Sequence, residues 1–160
     1  MHMEIKLLEI IARLTRSSER NKVYEMRAKK DNRPELAKLF HAIADSHAMQ
    51  AKRFLMQVRG AVGTTDENEK TAFTEDIPAT IREYQLLMKE ADLEDSRALS
   101  TGYRHSGEVE KHHLEIYNSL DEQRQDTEYY VCDFCGYVAE GEPPDNCPVC
   151  TAPKNRFKKV

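Results

Sequence analysis

Apolar residues recur at helical spacing through about residue 120, and four helices account for them. The first spans about 4–31 and aligns Leu7, Ile10, Ile11, Leu14, Tyr24 and Ala28. Arg33-Pro34 restarts the chain, since proline suits a first helical turn. The second helix carries Leu36, Leu39, Phe40, Ile43, Ala51, Phe54 and Val58 on one face and ends near Gly60. Residues 60–74 have no period and read as a long connection. A third helix over about 75–91 aligns Ile77, Ile81, Tyr84 and Met88. A fourth over about 93–120 aligns Leu99, Tyr103, Leu114 and Tyr117. The polar stretch 121–128 reads as a linker, and residues 129–160 carry a different, aromatic- and cysteine-rich pattern.

Composition narrows the class. A charged fraction of 32%, no tryptophan and only 6 glycines favour a helical protein over an all-β one. No apolar run reaches the ~20 residues of a membrane span. Glu4 breaks any leader-like start, so a cytoplasmic protein is expected. A net charge of −4 argues against nucleic acid as a partner. The basic tail KNRFKK is expected to be a solvated end.

The 4 cysteines of the chain are Cys132, Cys135, Cys147 and Cys150, two CxxC pairs. In a reducing compartment such pairs are metal ligands rather than disulfides. Each CxxC bends its backbone around an ion, so together they make one tetrahedral four-thiolate site. Residues 129–160 are too few to bury a sufficient core, and Tyr129, Tyr130, Phe134, Tyr137 and Phe157 are expected to pack around the metal, which supplies the remaining stability.

In the helices, Glu110 and His113 share a face with Leu99, Tyr103 and Tyr117, whereas His112 points about 100° away, toward solvent. His47 sits on the stripe of Leu36, Ile43 and Phe54, with Gln50 beside it. Ionisable groups on an apolar face must be paired, neutralised or ligated. Two readings stand. One is a hydrogen-bonded polar cluster of His47, Gln50, Glu110 and His113. The other is a single iron or zinc held by His47, Glu110 and His113, a two-histidine, one-carboxylate set. His41 and His105 are expected at interfaces or on the surface.

The terminal stretch, with Gly136-Tyr137 after Cys135 and Pro148 after Cys147, resembles rubredoxin, and in particular the module that ends rubrerythrins. LFHAIADSHAMQAKRF and VEKHHLEIY resemble the second and fourth helices of that family. The resemblance implies a mainly α fold: a ferritin-like four-helix bundle (1–120), a linker (121–128) and a rubredoxin-like domain (129–160). Four helices with one long connection between the second and third fit that pattern. It also implies an Fe(Cys)4 centre at Cys132, Cys135, Cys147 and Cys150, a homodimer, and a family role in peroxide reduction and oxidative stress, with a di-iron site fed by the rubredoxin centre. The family's Glu-x-x-His pair falls on Glu110 and His113 in the fourth helix and on His47 and Gln50 in the second. Its glutamates fall on Leu14 or Ser17 in the first helix and near Tyr84 and Leu87 in the third. Most di-iron ligands are therefore absent, which argues against an intact di-iron site and leaves enzymatic activity open. The redox partner is not named by the sequence. The competing reading is a non-catalytic scaffold with zinc at the four cysteines.

Overall fold

The computed structural model describes residues 2–120 and 126–160. The polypeptide is mainly helical, with four long helices followed by a small strand domain. These are α1 (His2–Lys30), α2 (Pro34–Leu55), α4 (Ile77–Leu93) and α5 (Arg97–Asn118). A short helix α3 (Thr65–Lys70) runs into a π-helical turn, Thr71–Asp76, before α4. The strands are β1 (Tyr129–Cys132), β2 (Val138–Glu140) and β3 (Phe157–Lys159). No helix among the described residues is long and apolar enough to cross a membrane. Of the expected linker, 121–125 lies outside the described residues. The chain divides into two compact units, up to Thr65 and from Asp66 onward.

The first unit is the α1–α2 hairpin. Its turn follows from Asn32, which adopts φ 54°. Asparagine tolerates this left-handed conformation better than most residues, and it lets the Arg33 N–H reach back to the Ala28 carbonyl at 2.9 Å, closing a Schellman-type end. Pro34 then opens α2, where a missing N–H costs nothing. The α4–α5 hairpin of the second unit repeats this device: Asp95 has φ 52° and the Ser96 N–H meets the Ala91 carbonyl at 2.8 Å.

The seam between α1 and α2 is made of small residues. Ala37, Ala44 and Ala51 recur every seventh position on α2 and are all buried, as is Ala28 on α1. A seven-residue repeat keeps one stripe facing a neighbouring helix. With only methyl groups in the stripe the backbones approach closely enough for Ser18 Oγ to donate to the Ala44 carbonyl at 2.8 Å. Asn21, also buried, donates to the Ser17 carbonyl at 2.8 Å. The larger apolar residues of the expected stripe, Leu14, Leu36, Phe40, Ile43 and Phe54, are half-buried. Leu39 on α2 and Leu99 on α5 are exposed, at 54% and 53%, although both were expected on buried faces. Leu39 lies a full 100° step from Phe40, off the seam, and Leu99 sits in the first turn of α5.

On the rim of this hairpin the Glu25 carboxylate accepts from Lys29 Nζ at 2.6 Å and meets His41 Nδ1 at 2.9 Å. The hydrogen bond to Glu25 holds the His41 imidazolium above its ordinary pKa, and Glu25 is held below the usual carboxylate range by Lys29 and then His41. The sign follows from the raised value. The contribution of His41 is present below its ordinary pKa of about 6.5 and is lost as pH rises through the folded-state value. An NMR titration should find His41 titrating above the ordinary value, and Glu25→Gln should bring it back.

Within the second unit, Tyr84 and Tyr103 approach with centroids 6.2 Å apart. Ala91 and Val109 are buried. The stretch 60–74 is not wholly a loop. Helical structure begins at Thr65, and the π turn places Phe73 flat on Tyr117, centroids 4.1 Å apart and planes 1° from parallel. Tyr117 also donates to Glu69 Oε1 at 2.7 Å. Strand order in the C-terminal sheet is β2-β1-β3, all antiparallel, with Val131 opposite Val138 and Lys158. The basic tail belongs to this sheet rather than to a loose end. Arg156 and Lys158 pair with Asp133 at 2.6 and 3.2 Å, Lys154 with Glu142, and Lys159 with Glu128.

Candidate metal centre

Two knuckles of the same construction deliver the four cysteines. In the first, the Gly136 N–H returns to the Cys132 carbonyl at 2.9 Å and the Cys132 N–H meets the Tyr137 carbonyl at 2.9 Å. In the second, the Thr151 N–H returns to the Cys147 carbonyl at 2.9 Å and the Cys147 N–H meets the Ala152 carbonyl at 2.8 Å. Each turn needs a left-handed residue directly after its second cysteine. Gly136 fills that slot with φ 86° and Thr151 with φ 62°. A side chain at Gly136 would meet no atom within 4 Å, so its cost is one of backbone conformation alone. Gly136→Ala should therefore destabilise the domain by about 1–2 kcal/mol, read as a lower denaturant midpoint for loss of the metal-centre absorption, while Thr151→Gly should cost nothing or stabilise.

The sulfurs converge. All four Sγ atoms lie within 4.8 Å of one another. Cys132–Cys150 and Cys135–Cys147 are 3.7 and 3.6 Å apart, and none is in a disulfide. A tetrahedral ion with metal–sulfur bonds of about 2.3 Å sets its sulfurs about 3.8 Å apart, so the spacing fits one ion. Cys132 and Cys147 are buried, and Cys135 and Cys150 half-buried. Burial pushes the metal-free Cys135 and Cys150 thiols up. Burial also opposes ionisation of Cys132, but N–H groups of Cys135 and Phe134 bring it down on balance. Further N–H donors come from Tyr137 to Cys135 and from Ala152 to Cys150. Four thiolates at this spacing repel one another, and a cation at their centre is what offsets that repulsion. Iron and zinc both fit such a donor set. Of the aromatics expected around the metal, Tyr137 and Phe157 meet edge to face with centroids 6.4 Å apart. Phe134 instead stands 67% exposed beside the cysteines, because the CxxC turn points it outward.

Among the described residues, these cysteines are the group of three or more potential ligands close enough to hold an ion. The helical candidates are placed as follows. His47 lies half-buried on α2, in the first unit, and its Nδ1 is buried without a hydrogen-bond partner among the described residues. Gln50 does not join it: this side chain is exposed and donates to Ser46 Oγ at 3.2 Å, one turn back. The residue three before His47 is the buried Ala44, so His47 has no carboxylate one turn before it as His113 has in Glu110. In the second unit Glu110 Oε2 and His113 Nδ1 are 3.3 Å apart, and His113 Nε2 is buried without a partner among the described residues. The fully buried polar residues of α1 are Ser18 and Asn21, both neutral, and its half-buried carboxylate, Glu25, is taken up by Lys29 and His41. On α4 the inward positions hold Tyr84 and Leu87, and Glu83 is exposed. His41 is exposed, and His105 is half-buried.

His112 differs from the sequence expectation. Its side chain keeps only 25% of its exposure. Nε2 lies 3.0 Å from the Val138 carbonyl, Nδ1 lies 3.0 Å from Glu115 Oε2, and the ring stacks on Tyr137 with centroids 4.4 Å apart. The 100° step off the buried face is correct, but the C-terminal domain covers that face. Glu69 is the other polar group sequence reasoning missed, since it sits in the stretch expected to be a loop.

Comparison with known proteins agrees with this layout. A family model described as the rubredoxin-like domain of rubrerythrin matches residues 130–158. Rubrerythrin-1 of Clostridium acetobutylicum is 25% identical over 177 aligned positions, covering 95% of this chain and 91% of that protein. Nigerythrin of Nitratidesulfovibrio vulgaris is 38% identical over 45 positions, 28% of this chain and 22% of that protein. A solved structure of nigerythrin in a mixed-valence state has a TM-score of 0.53 at 22% identity, covering 98% of this chain and 86% of that one. A helical region followed by a small four-cysteine domain is thus a fold shared with nigerythrin.

Proposed function

We infer, from a chain that is rubrerythrin-like and ends in a rubredoxin-like domain, an iron-binding redox protein whose redox centre is the site of Cys132, Cys135, Cys147 and Cys150. Iron in such a site supplies a one-electron ferric–ferrous couple. The residues of this chain do the rest. Four thiolates hold the ion, and the N–H groups of Phe134, Cys135, Tyr137 and Ala152 donate to sulfur and stabilise the more negative, reduced site. The exposed Phe134 offers a short apolar approach to the cysteines for a redox partner. The observation that carries this reading is the convergence of the four sulfurs at tetrahedral spacing.

Peroxide reduction, the role that the resemblance to rubrerythrins implies, is proposed to lie outside this protein's activity. Two irons need several anionic oxygen ligands, and the positions that the resemblance assigns to them on α1, α2 and α4 hold Ser17 or Leu14, His47, Tyr84 and Leu87. Glu110 alone remains among them. A homodimer is proposed because both helical hairpins bury small residues while their larger apolar side chains stay half-buried.

Peroxide turnover by the purified, reduced protein is the test. The expected result is reversible reduction of the cysteine-bound iron with little or no turnover, unaltered by Glu110→Gln or His113→Ala. Robust peroxidase activity abolished by either change would overturn it. Protein from its native source containing zinc at one per chain and no iron would instead favour the scaffold reading.

A further inference from the structure

We propose that His112 is the positioning residue that seats the four-cysteine domain on helix α5 of its own chain. Three contacts meet at one imidazole. Nε2–H donates to the Val138 carbonyl at 3.0 Å, and the ring lies on Tyr137 at a centroid distance of 4.4 Å and an interplanar angle of 14°. Nδ1 faces the Glu115 carboxylate at 3.0 Å, one helical turn on, which fixes the ring's rotamer. Tyr137 and Val138 are not peripheral to the domain. The Tyr137 N–H donates to Cys135 Sγ, and Val138 pairs with Val131 at the start of β2. A ring held on these two residues therefore holds the metal knuckle itself.

The seat is narrow, which is why one residue matters. Beside it a cleft of about 520 Å³ lies between α5 and the Pro148–Val149 turn of the second knuckle. On its closed side, His112 makes the hydrogen bond and ring contact described between the domain and α5. Stacking and a hydrogen bond of this kind act together on a tethered domain whose effective concentration is already high. Seated in this way, the domain turns its Tyr137 side to α5 and leaves Phe134 open. Resting on the electron-transfer reading above, exchange with a partner then occurs over the Phe134 side.

The test uses the full chain loaded with zinc, which is diamagnetic and redox-silent, so its outcome is independent of whether the protein transfers electrons. In the native sequence, nuclear Overhauser contacts are expected between the His112 and Tyr137 rings, and residues 129–160 should share the rotational correlation time of α5. In His112→Ala that correlation time should fall severalfold for 129–160 alone, and the Val138 carbonyl and Ala139 amide shifts should move. His112→Gln, which restores a donor, should recover those shifts in part. His112→Phe should keep the ring contact without them. The proposal is overturned if the native protein lacks the ring contact, or if His112→Ala tumbles and shifts like the native protein. It is also overturned if mixed isotope-labelled samples show the contact only between two chains.

Discussion

Cys147→Ser is expected to unfold the C-terminal domain while leaving the helices intact. The reason is the domain's size. Residues 129–160 offer one three-stranded sheet, and the side chains buried deepest in it are Cys132 and Cys147 themselves. A core made chiefly of ligands exists only while they are ligated. In small domains of this kind, metal binding supplies on the order of 10 kcal/mol of folding free energy. A serine oxygen is a poorer partner for a soft ion and breaks the tetrahedral set. The thiolate–metal absorption should disappear, the Tyr130–Cys132 amides should lose hydrogen-exchange protection, and far-UV helicity should stay near that of the native chain. Retention of sheet protection without metal would show that the domain has a core of its own.

The second large effect concerns the α1–α2 seam. Ala44→Leu should destabilise the first unit by about 2–4 kcal/mol, combining overpacking with loss of a buried hydrogen bond. Ala44 is 1% exposed, and Ser18 Oγ reaches its carbonyl because only a methyl group stands between the helices. A leucine there forces the backbones apart and strands the Ser18 hydroxyl. Ala48→Leu is the control, since Ala48 is exposed on the same helix and leucine is as good a helix former. Denaturant midpoints should fall for Ala44→Leu and not for Ala48→Leu. Equal midpoints would mean the seam is not close-packed.

These cases separate what the sequence carries from what it does not. The cysteine site was legible because its geometry is local: each CxxC closes its own turn, and Gly136 marks the first one. Helix identities and the Pro34 start of α2 were legible for the same reason. The packing seam was harder to see. It runs through Ala37, Ala44 and Ala51, whereas large apolar residues such as Leu39 drew attention to a face that is exposed. His112 was read as solvent-facing because its partner is a backbone carbonyl 26 positions away, and backbone acceptors leave no mark on a residue pattern. The stretch 60–74 looked aperiodic because α3, TDENEK, carries no apolar residue and a π turn then breaks the 3.6-residue period; Phe73, its one aromatic, was the available clue. The loss of a carboxylate on α2 was legible, since the second-helix pair falls on His47 and Gln50, neither of them anionic.

Glu110 and His113 lie together on α5, Oε2 and Nδ1 3.3 Å apart. They keep one half of a metal-binding pattern, with His113 Nε2 buried and unpartnered among the described residues. If an ion sat there it would add redox capacity. An anaerobic spectroelectrochemical titration of protein from its native source, with metal analysis on the same sample, therefore tests the central claim most directly. The account predicts one iron and one electron equivalent per chain, both assigned to Cys132, Cys135, Cys147 and Cys150. Three equivalents per chain would reveal a working two-iron site in the helices, and none, with zinc bound, would remove the redox function altogether.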